Sequence, residues 1–380
     1  ASFQFELWLT ARVCHFSCLM SSSSIAALLA AVVSAAPPTE MPGLVASSAS
    51  ARVVENFTVP ALGDLHSKYH NLPDSCEVLV RVSHSSVNPA DRYAVGPFPQ
   101  IMGSDIAGTV LEIQGTCRRL SVGDRVWADI GAVVYYGFNA SKGKENGAFA
   151  PIAVALESQL GPMPRNLDFE EAASLPKVSL TGYKALVWYG GAPYTRGNYT
   201  ILVIGGSGGC GMAGIQLAKA LGASRVITTA SSANVGILEG LGADAVIDHH
   251  VSNWWNVLPA GSIDVVYDTV GQSGTGDHAM AKLKDGGFFI SIVGQKPSSI
   301  PIGKHATTFI NSDTNLDNLE ILEDLRRFVE ADKLRMPQRK VYGLDHILDA
   351  FRESAEGHVS GKLCIRLPMI ESCAEEQRTV

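Results

Sequence analysis

The sequence predicts an α/β protein with a doubly wound parallel sheet and a second, β-rich domain. Two observations support this prediction. In the second half of the chain, apolar strand candidates recur at intervals of about 20 residues: TILVIG, SRVITTA, DAVIDH, IDVVYDTV and GFFISIVG. Near-continuous apolar strands that alternate with helical patterns are typical of a parallel sheet covered on both faces. Up to about residue 156, short alternating runs are separated by Gly and Pro, which indicates a β-rich domain.

Composition excludes several functional classes. The chain has 380 residues, of which 46% are apolar and 18% charged, so it can bury a large core and is long enough for two domains. The formal net charge is -7 and no basic stripe is present, so nucleic acid is not an expected partner. The seven cysteines are scattered, which favours reduced thiols over a disulfide framework. A small-molecule partner and a reducing compartment follow; we expect the cytoplasm, with the mitochondrion as the alternative.

The N-terminal segment differs from the rest of the chain. Four serines, Ser21–Ser24, precede the apolar run Ile25–Val33, and Arg12 lies upstream. This layout is close to a secretory signal, but the run is too short to span a bilayer, and one basic residue makes a poor mitochondrial presequence. We expect residues 1–45 to form a disordered or removable leader, with the folded body starting near Val53 and no association with membranes.

A change of pattern separates the two domains. The alternation of Cys76–Val87 is that of a half-buried strand. At Asp168 an acidic cap with two more acids in the next turn predicts the start of a helix. The expected domains are residues 168–325 for the parallel sheet, and 46–167 together with 326–370 for the β-rich part. The C-terminal segment 326–370 would include a closing strand near Leu363–Leu367.

A glycine cluster follows the first strand of the predicted parallel sheet. Gly206, Gly208 and Gly211 fit the spacing G-x-G-x-x-G, after the strand Ile201–Ile204 and before a helix starting near Met212. That context brings backbone N–H groups and a helix N-terminus to a pyrophosphate, so a Rossmann-type dinucleotide site is predicted. The nucleoside-triphosphate loop requires Gly-Lys-Ser/Thr and is excluded. The expected cofactor contacts come from Gly206, Ser207, Gly208, Gly209, Cys210 and Gly211.

The end of the second strand indicates which dinucleotide is bound. Enzymes that use NAD place an acid there for the ribose hydroxyls, whereas this chain has TTASSANV, without an acid. Ser231, Ser232 and Asn234 are candidate donors to a 2′-phosphate, and His249, at the end of the third strand, is a partly charged one. NADPH is therefore the expected cofactor. The alternative is that these residues only form a polar loop.

Several stretches together resemble the medium-chain dehydrogenase/reductase superfamily, in particular its zinc-independent quinone oxidoreductase branch. They run in order from about residue 75 to 367: SSVNPADRY, GSDIAGTV, VGDRVWA, NGAFAPIAV, EAASLPKVSLTGYKAL, VIGGSGGCG, LGADAVIDHH, VYDTVG and GHVSGKLCI. The resemblance implies a GroES-like fold for the β-rich catalytic domain and an active site in the cleft between the domains. It also implies a homodimer joined through the edge of the dinucleotide-binding sheet.

The resemblance also implies a metal-free site. Zinc-dependent alcohol dehydrogenases of the superfamily carry Cys where this chain has Asn88, and His-Glu where it has Ser104–Asp105. Amide and hydroxyl groups cannot form the Cys/His site that activates an alcohol. The four-cysteine lobe for a structural zinc is absent from the sequence too.

Three candidate catalytic residues follow. Tyr93 aligns with a substrate-facing tyrosine, and its phenol could hydrogen-bond the acceptor carbonyl or fill the cleft wall. Asn88 could orient the nicotinamide ribose or the substrate, or cap the turn before Pro89. Lys177 stands where relatives usually carry an apolar or small residue; it could stabilise a developing enolate or point to solvent.

Three further residues are expected beside the cofactor. Thr181 matches a cofactor-contacting hydroxyl of the family. Val270 and Val293 end parallel strands, where this fold places its ligand cleft, and would wall the nicotinamide. Ordinary packing explains the two valines equally well. Two departures from relatives that use NADP concern the phosphate: Ala233 replaces a basic residue and His249 replaces a tyrosine.

The sequence thus predicts an NADPH-dependent, metal-free reductase that transfers hydride to quinones or related electrophilic carbonyl acceptors. One alternative is a reductase of activated C=C bonds in enals, enones or enoyl thioesters. Another is a non-catalytic module that binds NADPH, because related folds can keep a cofactor without turnover. Cys210, inside the glycine cluster, either fills the space between helix and strand or makes the site sensitive to thiol-reactive quinones.

Overall fold

A computed structural model describes residues 38–47, 50–68, 72, 75–93, 98–135, 142–145, 147–309, 311, 318–337 and 339–370. Most of the expected leader, residues 1–37, lies outside the described residues. The folded body starts earlier than expected, because Glu40–Ala46 is a strand that pairs on both sides and buries Met41 and Leu44. Residues 40–45 are therefore not part of a leader.

The N-terminal part is rich in short strands. Its elements are β1 (Glu40–Ala46), β2 (Ala51–Thr58), α1 (Asp64–Lys68), β3 (Glu77–Val87), β4 (Gln100–Ile101), β5 (Asp105–Ile113), β6 (Arg125–Asp129), β7 (Ala132–Tyr135), β8 (Lys142–Glu145), β9 (Ile152–Leu156) and β10 (Gly161–Pro162). The chain then enters two helices, α2 (Phe169–Ala173) and α3 (Pro176–Tyr183), followed by the π-helix Lys184–Tyr189. Asp168 caps α2 as predicted, because its side chain accepts the N–H of Glu171 at 2.8 Å.

The second part alternates strands and helices. Its elements are β11 (Thr200–Ile204), α4 (Gly209–Ala220), β12 (Arg225–Ala230), α5 (Val235–Gly240), β13 (Ala245–Asp248), α6 (Trp254–Val257), β14 (Ile263–Asp268), α7 (Thr275–Lys282), β15 (Leu283–Ser291), β16 (His305–Thr308) and α8 (Leu319–Glu330). All six strands are parallel, in the order β13-β12-β11-β14-β15-β16. This is the strand order of the doubly wound dinucleotide-binding fold, which confirms the predicted fold class.

Both faces of the parallel sheet are buried. Along β11, Ile201 and Val203 belong to one apolar cluster, whereas Leu202 and Ile204 belong to another on the opposite face. This alternation explains why the strand reads as a continuous apolar run. The sixth strand, β16, was not predicted, since it is a short edge strand of sequence HATT with one exposed and three half-buried residues.

The chain finally returns to the β-rich part through β17 (Arg339–Gly343), α9 (Ile347–Glu356) and β18 (Lys362–Arg366). The larger sheet of this part has the order β10-β6-β5-β3-β18-β17, with β9 also on β3; its pairs are antiparallel except for β17 and β18, which are parallel. The register sets Leu363 opposite Val87, and Asp105 opposite both Ser86 and Asp129. One end of this sheet therefore gathers polar residues from four strands.

One cysteine expectation is wrong. Cys76 and Cys117 form a disulfide, although they are 41 residues apart in the sequence. Cys76 precedes β3 and Cys117 follows β5, and the antiparallel pairing of these strands sets Val78 opposite Ile113, which brings the two cysteines together. The scattered cysteines are thus not all reduced thiols; Cys210 and Cys364 are free among the described residues. No helix in the described ranges has both the length and the apolarity to cross a bilayer.

Candidate active site

The glycine cluster forms the turn between β11 and α4. A Cβ atom on Gly206 would lie 2.1 Å from Oγ1 of Thr228, and one on Gly211 would lie 2.0 Å from the carbonyl oxygen of Gly205. At Gly208, by contrast, the nearest atom would be 3.7 Å away. Two glycines are thus needed for close packing, while the middle one leaves open space before the N-terminus of α4. That combination fits a bound pyrophosphate.

The helix after this turn starts earlier than predicted. It begins at Gly209, with Gly208 as its cap, rather than near Met212. The open space beside Gly208 is therefore in front of the first helical turn, whose N–H groups are the natural partners of an anion.

The C-terminal return docks on the glycine turn. The N–H of Gly361 donates to the carbonyl of Ser207 at 2.8 Å, and a Cβ on Gly209 would lie 3.0 Å from Cδ of Lys362. Neither Gly361 nor Lys362 was predicted as a site residue. The stretch GHVSGKLCI was the available signal, but its contact with the glycine turn depends on strand β18 lying beside β3.

Cys210 lies inside the cluster without becoming reactive. Burial raises the pKa of its thiol to about 11, and the nearby Lys362 only partly opposes this. Because the thiolate is the nucleophilic form, the thiol is inert at neutral pH. The structure therefore favours the packing interpretation of Cys210 over sensitivity to quinones.

The polar loop after β12 is linked to the other domain. Nδ2 of Asn234 donates to Oγ of Ser231 at 3.0 Å, and Oγ of Ser360 donates to Oδ1 of Asn234 at 3.0 Å. Ser232 is exposed, and so is His249, whose ring packs on His250 with 4.2 Å between centroids. The loop thus holds hydroxyl and amide groups from both domains.

An acid that was not predicted as a site residue lies beside this loop. Asp248 ends β13, and its pairing with Ala230 places its carboxylate where it accepts the N–H of Ser232 at 3.1 Å and that of His250 at 2.9 Å. These backbone N–H groups lower the pKa of Asp248. The absence of an acid at the end of the second strand therefore does not mean the absence of negative charge.

Two exposed valines lie at the carboxyl end of the sheet, as predicted. Val270 is 56% exposed and Val293 is 42% exposed, which is unusual for large apolar side chains. A Cβ on Gly205 would lie 2.5 Å from Val270, and one on Gly271 would lie 2.9 Å from Val293. The valines thus border the glycine turn and offer an apolar surface next to it.

Asn88 belongs to a buried polar cluster. Its Nδ2 donates to Asp105 at 2.7 Å, its backbone N–H to Asp91 at 2.8 Å, and its Oδ1 accepts from Nζ of Lys362 at 2.6 Å. Ser104 completes the cluster by donating to Asp91 at 2.6 Å. Asn88 therefore caps the turn before Pro89 and also links the β-rich part to the residue that packs on the glycine turn.

Lys177 is buried against an acid, so the alternative that it points to solvent is wrong. Its Nζ lies 2.9 Å and 2.8 Å from the two carboxylate oxygens of Asp129, and its backbone N–H donates to Asp105 at 2.7 Å. Nδ2 of Asn311 donates to the same carboxylate at 2.9 Å. The side chain comes from α3 and the acid from the end of β6, so the pair joins the two parts of the chain.

Two other predicted residues have different surroundings. Thr181 is buried, and its hydroxyl donates to the carbonyl of Lys177 one turn earlier at 2.6 Å, so its hydrogen is used within α3. Tyr93 is 67% exposed, which does not fit an aromatic packed into a wall; the guanidinium of Arg92 lies 5.9 Å from its ring centroid. Contacts of either residue with a ligand stay predictions.

Fold and glycine turn together define a dinucleotide-dependent oxidoreductase. The family model described as "Alcohol dehydrogenase GroES-like domain" matches residues 74–165, and that described as "Zinc-binding dehydrogenase" matches residues 241–365. A 2-methylene-furan-3-one reductase of Solanum lycopersicum is 32% identical over 300 residues, which cover 76% of this chain and 71% of that protein. The chain belongs to the medium-chain dehydrogenase/reductase superfamily, in its quinone oxidoreductase-like branch.

Two further similar proteins are consistent with this family assignment. An NADPH-dependent alkenal/one oxidoreductase, chloroplastic, of Arabidopsis thaliana is 28% identical over 360 residues, covering 91% of this chain and 84% of that protein. The solved structure of the quinone oxidoreductase from Coxiella burnetii has a TM-score of 0.68 and 26% identity, covering 87% of this chain and 100% of that one. A nicotinamide cofactor and an oxidoreductase activity follow from this family membership.

The donor atoms at the family's catalytic zinc position do not fit zinc. Asn88 offers an amide and Ser104 a hydroxyl, and the ammonium of Lys177 stands next to Ser104 across Gly131. Within the described ranges, one group of His, Cys, Asp or Glu side chains brings its ligand atoms within 4.8 Å of one another: Cys76, Cys117 and Glu157. Two of these form the disulfide, and the Glu157 carboxylate accepts backbone N–H groups of residues 118–120.

Proposed function

We propose that this protein is an NADPH-dependent reductase that transfers hydride to quinones or related electrophilic carbonyl acceptors without a metal. The observation that carries the proposal is the connection made by Lys362. Its stem packs on the glycine turn, while its ammonium binds Asn88 in the buried polar cluster. A cradle for a dinucleotide and a polar site with ammonium groups thus adjoin each other across the two domains.

The chain's own residues would hold the cofactor. The glycine turn and the first turn of α4 bind the pyrophosphate, and the exposed Val270 and Val293 cover the nicotinamide. Ser231, Asn234 and Ser360 offer donors for a 2′-phosphate, which supports NADPH, as does the name of the Arabidopsis thaliana relative. The carboxylate of Asp248 repels a 2′-phosphate bound at the same loop. The preference for NADPH over NADH therefore depends on the balance between this repulsion and the hydrogen-bond donors of the loop.

When bound, the nicotinamide supplies a hydride to the acceptor. The apolar side chains of Val270 and Val293 exclude water from that step. The exposed phenol of Tyr93 donates a hydrogen bond to the acceptor carbonyl, on which charge develops. Asn88 holds the turn that carries Tyr93, because its backbone and side chain both bind Asp91 of that turn.

A second class of acceptor fits the same residues. Two relatives are named as an alkenal/one oxidoreductase and a 2-methylene-furan-3-one reductase, and the compounds in these names contain a C=C bond conjugated to a carbonyl group. Such a bond accepts hydride at its β-carbon and places the charge on a carbonyl oxygen, as a quinone does. The same residues therefore serve enals, enones and enoyl thioesters, and only kinetics separates the two classes.

A kinetic panel tests the proposal. NADPH and NADH are each combined with 1,2- and 1,4-quinones, enals and enoyl thioesters, with and without a chelator, and the rate of cofactor oxidation is measured. We expect turnover with NADPH that the chelator does not change. Loss of activity with the chelator, or a preference for NADH, contradicts the corresponding part of the proposal. NADPH binding without turnover of any acceptor supports the non-catalytic module.

We also propose a homodimer and a cytoplasmic or mitochondrial location. Strand β16 ends the sheet with an outer edge that pairs with no other described strand, and such an edge can be extended by a second copy. Light scattering after gel filtration measures the mass, and a monomer contradicts the dimer. The disulfide removes the support that reduced thiols gave to a reducing compartment.

A further inference from the structure

We propose that the ammonium of Lys177 is the electrophile of this site, stabilising the oxyanion that forms on the acceptor, and that Asp129 is the positioning residue that holds it there. This inference rests on the proposed reduction of a carbonyl acceptor. It assigns a positive charge, supplied by the chain, to the place where zinc-dependent relatives use a metal.

The geometry places Lys177 at that position. A Cβ on Gly131 would lie 2.6 Å from Cβ of Ser104 and 3.4 Å from Nζ of Lys177, so both side chains contact the same glycine. Asp105 binds the backbone N–H of Lys177 and the side chain of Asn88 through different oxygens. The ammonium is thus held next to Ser104, and Asp105 links the backbone of Lys177 to Asn88; Ser104 and Asn88 stand at positions of zinc ligands in the superfamily.

The ammonium can still donate a bond to a ligand. Two of its three hydrogens point to the carboxylate oxygens of Asp129, and among the described residues no acceptor takes the third. The side chain of Lys177 is 10% exposed, whereas the side chain of Asp129 is fully buried. Gly131 provides the room, since a side chain there would contact Nζ.

The charges around Lys177 keep it protonated. Burial alone would lower its pKa, but the carboxylates of Asp129, Asp91 and Asp105 outweigh burial and raise the pKa. Burial also raises the pKa of Asp129, which Lys177 opposes. Among the described residues, Lys184 is a second cation that interacts with the pair; burial and the charge of Lys177 lower its pKa to about 8.

The chemical step balances without a further reagent. Hydride adds to the electrophilic carbon, and the π electron pair moves to the carbonyl oxygen. Lys177 donates a hydrogen bond to that oxygen and keeps its proton. Water supplies the proton that completes the reduction, and the resulting hydroxide is neutralised by the bulk solvent. Asp129 fixes the ammonium during the step and does not contact the acceptor.

Turnover tests the role of Lys177. The Lys177→Met variant keeps the length of the side chain and removes the charge. We expect kcat with a quinone or enone to fall about 10²–10³-fold, the usual cost of removing one oxyanion donor, with an unchanged Kd for NADPH. The control is Lys284→Met, which removes a Lys–Asp pair of 2.7 Å at the opposite end of the parallel sheet and leaves kcat unchanged. Unchanged turnover of Lys177→Met contradicts the proposal.

A pH profile separates positioning by Asp129 from a purely structural role. In Asp129→Asn the buried ammonium loses its main counter-charge, so its pKa falls and kcat declines as the pH rises through the lowered value. The Lys184→Met variant is the control, because it removes the ammonium of Lys184, whose pKa of about 8 lies in the same pH range. An activity loss that is equal at all pH values, or a parallel loss of NADPH affinity, contradicts the positioning role.

An equilibrium measurement needs no turnover. The probe is 4-nitrophenol, bound in the presence of NADP⁺, whose ionisation is followed by its visible absorbance. Next to the ammonium, its pKa should fall by about one unit or more, a tenfold change in proton affinity, and Lys177→Met should abolish the shift. Equal values in both proteins, or no binding to the wild type, contradict the inference. A shift without turnover of any acceptor instead contradicts the proposed function and leaves the oxyanion site supported.

Discussion

Nζ of Lys362 lies 2.6 Å from Oδ1 of Asn88, while the stem of the same side chain packs against Gly209 in the glycine turn. One buried side chain thus contacts both the dinucleotide cradle and the polar cluster. The strand register explains this position, because Leu363 of β18 pairs with Val87, the residue before Asn88.

Replacing Lys362 by Met tests this connection. The stem stays, but Asp105 loses a cation partner at 3.3 Å, and the free energy of unfolding should fall by about 3 kcal/mol, as for a broken buried pair. The Kd for NADPH should rise, because a positive charge is lost beside the N-terminus of α4. Urea unfolding and fluorescence titration measure the two effects. Lys340→Met, which removes an exposed pair with Glu353, is the control and should change stability by less than about 1 kcal/mol.

The glycine turn predicts opposite effects for two alanine variants. Gly206→Ala forces a contact of 2.1 Å with Thr228 and should destabilise the fold. Gly208→Ala meets nothing closer than 3.7 Å, so the protein should fold normally while its Kd for NADPH rises, because the new methyl group occupies the open space. Gly236→Ala in α5, where nothing lies within 4 Å, is the control. Equal NADPH affinity of Gly208→Ala and wild type contradicts the assignment of the cradle.

The carboxylate of Asp248 should limit the preference for NADPH. Asp248→Asn keeps an acceptor for the N–H of Ser232 and removes the negative charge beside the polar loop. If the loop binds the 2′-phosphate, the Kd for NADPH falls several-fold while the Kd for NADH barely changes. Isothermal titration with both cofactors checks this. An equal change for NADPH and NADH places the 2′-phosphate elsewhere.

The free thiols should resist alkylation in the folded protein. Burial raises the pKa of Cys210 to about 11 and that of Cys364 to about 12. At pH values well below these, the thiolate fraction is small, so iodoacetamide should react slowly, and the rate at Cys210 should rise with pH toward about 11. Peptide mass spectrometry locates the modification, and the urea-unfolded protein is the control. Rapid modification of Cys210 at neutral pH restores the interpretation as a quinone-sensitive thiol.

The disulfide should stabilise the fold without affecting catalysis. It closes a loop of 41 residues, for which chain entropy gives about 4 kcal/mol. It lies at the ends of β3 and β5 opposite to Asn88 and Asp105, so turnover at a temperature where the protein is folded should not change. The double variant Cys76→Ala/Cys117→Ala is compared with the wild type. Thermal unfolding measures the stability of each protein, and steady-state kinetics measures its turnover. A large fall in kcat/KM of the folded variant contradicts this separation.

Much of the fold could be predicted from the sequence. The apolar runs of β11 to β15 and the glycine spacing depend on local pattern, and local pattern is what the sequence displays. Strand β16 was missed because a short edge strand buries little and so carries no clear apolar period. Strand β1 lies between β2 and β4 and buries five of its seven residues, but its sequence EMPGLVA contains Pro and Gly, which are typical of turns. The Cys76–Cys117 pair was missed because it depends on the pairing of distant strands.

The candidate site was predictable only where it depends on local pattern. Gly206, Gly208 and Gly211 form a motif within six residues, and the structure gives each a distinct packing role. Asp129 lies outside the recognised stretches, and Lys362 lies within GHVSGKLCI without a recognised role; both reach the site through strand register. Asp248 was not predicted because it ends the third strand, and only the pairing of Ala230 with Asp248 brings its carboxylate to the loop after the second strand.

The function proposed for this site is hydride transfer from NADPH to an electrophilic acceptor without a metal. A single-turnover experiment on chelator-treated protein tests this function, with NADPH deuterated at the transferred position and an enone as acceptor. We expect decay of the NADPH absorbance with a primary isotope effect, and a product that carries the deuterium at its β-carbon. Absence of deuterium from the product, or decay that requires added zinc, would contradict it.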